Sequence, residues 1–109
     1  MSKSIDFTKL KKQYLTVTLP DETKLLVTTP TKDILDDFLS LQNTVNGEDV
    51  GEEAIDALYE ICAKIMSRNR AGKKISVEFV QENLDFEDLI VFIKGYSEFI
   101  SEVANSKNF

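Results

Sequence analysis

The sequence predicts a mainly α fold of the α+β kind: an N-terminal β-hairpin followed by a bundle of about four helices. Three observations predict it. Between positions 30 and 103 apolar residues recur at three- and four-residue spacing, the period of a helix buried on one side. Leu15, Val17 and Leu19 instead alternate with threonines, the period of a half-buried strand. Pro20-Asp21-Glu22-Thr23 then supplies turn residues, and Lys24-Leu25-Leu26-Val27-Thr28 reads as the returning strand.

The 109 residues have room for one hydrophobic core and not for two. We read 1–13 as a flexible N-terminus, 14–104 as a single domain and 105–109 as a frayed C-terminus. The hairpin covers 14–28. Such a hairpin is marginal in water alone, so one of its faces must pack on the helices. Thr29 caps the first helix, about 30–42, with Pro30 in its first turn, where a missing N–H costs nothing. Ile34, Leu35, Phe38, Leu39 and Leu41 form its buried side, and Asn46-Gly47 turns the chain.

The second helix, 52–69, carries Leu58, Ile61, Cys62, Ile65 and Met66 on one stripe, and Gly72 stops it. Ser76 caps a short helix, 77–83, with Phe79 and Val80 inward. Asp85 caps the last helix, 86–103. There Phe86, Leu89, Ile90, Phe92, Ile93, Tyr96, Phe99, Ile100 and Val103 fill about half of the wheel. So wide an apolar arc needs several partners, and this last helix is the expected centre of the fold.

Composition narrows the function. The net charge is −6, which disfavours wrapping a phosphate backbone, so no nucleic-acid partner is expected. No apolar run approaches the roughly 18 residues that span a membrane, and the first residues lack a signal-peptide core. No membrane partner is expected. There is no histidine, hence neither the commonest general base nor the commonest zinc ligand. The single cysteine, Cys62, lies on an apolar helix stripe and reads as a core residue. No phosphate-binding loop, dinucleotide fingerprint or acid/base pair is found, so neither an enzyme nor a cofactor is expected.

Three clusters merit a functional reading beside the bland one. Glu48, Asp49, Glu52 and Glu53 gather carboxylates, yet they lack the ligand spacing of a calcium loop, and acids at a helix start suit its dipole. Arg68, Arg70, Lys73 and Lys74 form the one basic patch, at a helix end where cations belong. Val91 falls among Glu87, Glu98 and Glu102 on the polar side of the last helix, with Gly95 at its edge. That pair is the candidate protein-interaction patch, because glycine allows a second backbone to come close.

Several stretches together resemble a phage family. Leu19-Pro20-Asp21 and Leu25-Leu26-Val27 run into Thr29-Pro30-Thr31-Lys32; a central helix holds Leu58-Tyr59-Glu60-Ile61; the last begins Leu84-Asp85-Phe86-Glu87-Asp88-Leu89. In layout, size and acidity, across 14–104, the chain resembles the tail assembly chaperones of long, non-contractile-tailed phages and prophages of Gram-positive bacteria. The resemblance implies a protein that binds and solubilises the tape measure protein and helps recruit major tail protein during tube assembly. It implies self-association, a place in the host bacterial cytoplasm and absence from the mature virion. The hairpin departs from members that are helical throughout. Such chaperones are often made in two forms by a minus-one frameshift, and Lys107-Asn108-Phe109 permits a slippery heptanucleotide. The competing reading is a small acidic regulator that binds a single host or phage protein stoichiometrically.

Overall fold

The computed structural model describes residues 4–45 and 51–105. It contains an antiparallel hairpin, β1 (Leu15–Thr18) and β2 (Lys24–Val27), followed by four helices. These are α1 (Lys32–Val45), α2 (Glu52–Ser67), α3 (Val77–Asn83) and α4 (Phe86–Asn105). Ahead of them, within the stretch expected to be unstructured, Phe7–Lys9 makes one 3₁₀ turn capped by Asp6. The Asn46-Gly47 turn, the Glu48-Asp49 part of the acidic cluster and the Ser106–Phe109 tail lie outside the described residues.

The hairpin register sets Leu15 opposite Val27 and Val17 opposite Leu25. Leu25, Val27 and Leu19 are buried, while Leu15 and Val17 are half-buried. In the turn, Asp21 Oδ1 accepts from the Thr23 amide at 3.0 Å, and the chain reverses with Glu22 at φ 70°.

The first helix begins at Lys32, two residues later than expected. The Thr31 carbonyl accepts its first bond, from the Leu35 amide, while the Thr29 carbonyl accepts from Arg68 Nε. Phe38 and Leu41 are buried, but Leu39 is 49% exposed. The caps of the later helices match their sequence signals. Ser76 Oγ accepts from the Phe79 amide at 3.1 Å. Asp85 and Asp88 cap each other's amides reciprocally at 2.9 Å, closing the start of α4.

The hub is α2 rather than α4. It lies against α1, α3, α4 and β2. Leu58, Cys62, Ile65 and Met66 are essentially inaccessible to solvent. The last helix does bury Leu89, Phe92, Ile93, Tyr96 and Phe99, but Phe86 is 40% exposed. Tyr96 sits edge-on to Phe38 of α1, with ring centroids 5.3 Å apart, and stacks with Phe92 at 5.9 Å.

The second helix stops at Ser67, short of the expected position 69, because the next residues are used by the hairpin. Asn69 forms an antiparallel bridge with Val27. Thr28 donates its amide to the Arg68 carbonyl, and Arg70 donates its amide to the Leu26 carbonyl, both at 2.9 Å. Residues 68–70 thus act as a short third strand on the β2 side. Gly72, at φ 71°, shapes the turn after this bridge and does not end the helix itself.

Candidate protein-interaction surface

The bridge residue Asn69 is buried and its side chain is fully used. Nδ2 donates to the carbonyls of Met66 and Lys73 at 2.8 and 2.7 Å, and Oδ1 accepts from the Lys73 amide at 2.9 Å. Ser67 Oγ accepts from the Ile75 amide at 2.8 Å, which pins the far end of the same loop to α2. The apolar periodicity predicts Asn69 as the last residue of a helix. Its spacing from Gly72 is a turn signal that would have identified it.

The four residues of the expected basic patch have different surroundings. Arg68 is half-buried, and its Nε donates to the Thr29 carbonyl at 3.2 Å, across the gap between α2 and the hairpin. Arg70 places its guanidinium 5.9 Å from the centre of the Tyr14 ring. The charge of Lys73 acts on Asp21 and helps hold its carboxyl below the usual range, after the larger effect of the Thr23 hydrogen bonds. Lys74 is exposed beside Ile75 and Glu78. Arg68 therefore works within the fold, Arg70 and Lys73 act on Tyr14 and Asp21 respectively, and Lys74 stands at the surface.

No group of three or more potential metal-ligating side chains occurs among the described residues, and Glu52 and Glu53 are simply exposed in the first turn of α2. Cys62 is buried, and loss of hydration pushes its thiol up to about 12. It stays protonated near neutral pH and offers no thiolate for chemistry. Among the described residues no helix is long and apolar enough to cross a membrane.

The remaining candidate pair lies on a groove. Val91 is 70% exposed on α4. With Gly95, Asp88, Phe92 and Leu84 it faces the whole of β1 across a groove of ≈ 330 Å³. A Cβ built on Gly95 meets nothing within 4 Å, so packing inside the chain gives no reason for glycine in mid-helix. Glycine there costs about 1 kcal/mol relative to alanine.

The strand opposite is a sheet edge. Among the described residues β1 pairs with β2 on one side and with no strand on the other. The Leu19 amide donates to the Thr23 carbonyl. Alternation along an antiparallel pair then turns the backbone groups of Val17 and Leu15 towards β2 and those of Thr16 and Thr18 outward. The outer partners of Leu26 and Thr28, supplied by residues 70 and 68, have the same parity. An apolar floor, an outward-facing backbone edge and a helix with a glycine gap form a surface suited to an extended or helical polypeptide. The edge was invisible in the sequence because a strand's period does not reveal which of its sides is paired.

Comparison with known proteins gives no match to a protein-family profile, a curated protein or a solved structure.

Proposed function

We propose that this protein is a tail assembly chaperone. In this reading it binds and solubilises the tape measure protein of a long-tailed phage or prophage and helps recruit major tail protein. It self-associates while doing so, acts in the host bacterial cytoplasm and is left out of the mature virion. The resemblance over 14–104 supplies the family. The observation that carries the reading is the groove beside α4, where Val91 stands exposed on an acidic helix next to the outer edge of β1.

The physical logic is that of a holdase. A long helical client must have its apolar stripes covered, and the covering protein must itself stay soluble. The groove offers apolar contact, while the net charge of −6 keeps complexes apart from one another. The reading involves no catalysis.

The test has a genetic and a biochemical arm. The gene is expected between those for the major tail protein and a very long tape measure protein. Co-expression is expected to move that tape measure protein into the soluble fraction. Val91→Glu is expected to lower that fraction while leaving the circular dichroism spectrum unchanged. A tape measure protein that stays insoluble with the wild-type chain overturns the reading. Capture of one unrelated protein at 1:1 by a monomer replaces it with the regulator.

A further inference from the structure

We propose that the groove between β1 and α4 receives the N-terminal arm, residues 4–13, of a second copy of this chain. The proposal gives a contact to the self-association in the function above and rests on that part alone; arm and client occupy the one groove in turn, the arm leaving where the client enters.

The arm is built to be covered. Ile5 is 76% exposed and Phe7 74%, and Leu10 is exposed as well. Lys9, Lys11 and Lys12 outnumber its one acid, Asp6, so the arm is apolar and positively charged. It occurs in a chain whose net charge is −6.

The groove complements it in both respects. Leu84, Phe92 and the exposed Val91 give apolar contact. Asp88 lines the groove, and beyond its lining Glu87, Glu98 and Glu102 stand exposed on α4 against a single lysine, Lys94. Oppositely charged surfaces that also exclude water from apolar contacts favour one partner and one orientation. The strand edge is undefended: Leu15-Thr16-Val17-Thr18 carries none of the charges or prolines that usually blunt an edge. Gly95 then has a reason, since a neighbouring backbone can settle over α4 where any side chain would hold it off.

The occupant must come from another copy. The arm leads straight into β1. To lie on that strand's own outer edge it would have to reverse within Lys11-Lys12-Gln13-Tyr14, a stretch with no Gly, Pro, Asn or Asp. The Tyr14 ring is held beside Arg70, on the far side of the hairpin from the groove. An arm that does not turn back at this point can extend through residues 4–12 to a neighbour.

The experiment is complementation between full-length variants, followed by light scattering and sedimentation. The wild-type chain is expected to gain mass with concentration, reaching at least twice that of the monomer, and to lose the gain as salt is raised. Two sets of exposed residues are changed. Ile5→Ser with Phe7→Ser removes the apolar arm, and Val91→Lys places a repelling charge in the groove. Each variant alone is expected to stay monomeric with an unchanged circular dichroism spectrum. Mixed, they are expected to form a 1:1 pair, because one retains the arm and the other the groove. A wild-type chain that is monomeric at all concentrations overturns the proposal. So does either variant that still associates, or a mixture that stays monomeric.

Discussion

The hydroxyl of Tyr96 donates to the carbonyl of Thr28 at 3.1 Å, joining the middle of α4 to the end of the hairpin across 68 positions of sequence. The same threonine donates its amide and its hydroxyl to the Arg68 carbonyl, at 2.9 and 3.1 Å. Three distant segments therefore meet at one residue. Tyr96→Phe keeps the ring packing and removes only the donor. It is expected to cost about 1–2 kcal/mol in urea unfolding, the penalty for an unpaired carbonyl at a largely buried place.

The place of α2 as hub can be measured against the last helix. Leu58→Ala is expected to cost about 3 kcal/mol, and Phe92→Ala and Ile93→Ala a similar amount each, since all three side chains are buried. Phe86→Ala, on the same apparent stripe as Phe92, is expected to cost less, about 1 kcal/mol, because the residue stays 40% exposed. A large loss at Phe86 in urea melts would place the buried face of α4 elsewhere.

Asn69→Ala removes three hydrogen bonds at a buried site and leaves the Lys73 amide and two carbonyls without this partner. The expected loss is about 2–3 kcal/mol. Hydrogen exchange is expected to show the Arg70 amide, bonded to Leu26, losing protection along with it.

Glu22 holds φ 70°, a conformation that glycine adopts without the steric cost to a Cβ. Glu22→Gly is expected to stabilise the protein by about 0.5–1 kcal/mol, the relief of strain being partly offset by the freer unfolded chain. Gly72→Ala, at φ 71°, is expected to destabilise by about 1 kcal/mol or more. Thermal melts of the two variants should move in opposite directions.

Two buried acids make the fold sensitive to alkali. Burial pushes the Cys62 thiol from 9.0 up to about 12. It likewise moves the Tyr96 hydroxyl from 10.0 to about 12, although the nearby Arg68 pulls it the other way. Both folded-state values are raised, so the folded protein holds these protons more tightly than the unfolded chain does. Their stabilising effect is complete below about pH 9 and is lost as the pH rises towards 12. Urea midpoints are expected to fall over that window, and Cys62→Ala together with Tyr96→Phe should flatten the fall. Below pH 9 these two groups give no pH dependence.

Local signals along the chain set the elements. Period two against period 3.6 separated the hairpin from the helices, and α3 occurs at its expected residues because Ser76 and the first-turn acid Glu78 mark its start. These signals act over a few residues, so one chain segment contains them whole. Exposed Val91 was legible for the same reason: its wheel position among acids depends on α4 alone. Tertiary structure decided which stripe found partners. The apolar arc of α4 is as wide as a central helix needs, but α2 has neighbours on more sides, and Phe86 and Leu39 are only partly covered where those neighbours run out. It also took Asn69 from α2 and gave it to the hairpin. A bridge to Val27, 42 positions away, repays the lost helical bond and leaves no periodicity in the sequence. The outward edge of β1 was decided in the same way, because pairing consumed the β2 side and residues 68–70 closed the sheet beyond it. Period and capping depend on nearest neighbours along the chain, whereas burial and edge exposure depend on which distant surfaces fill the same space.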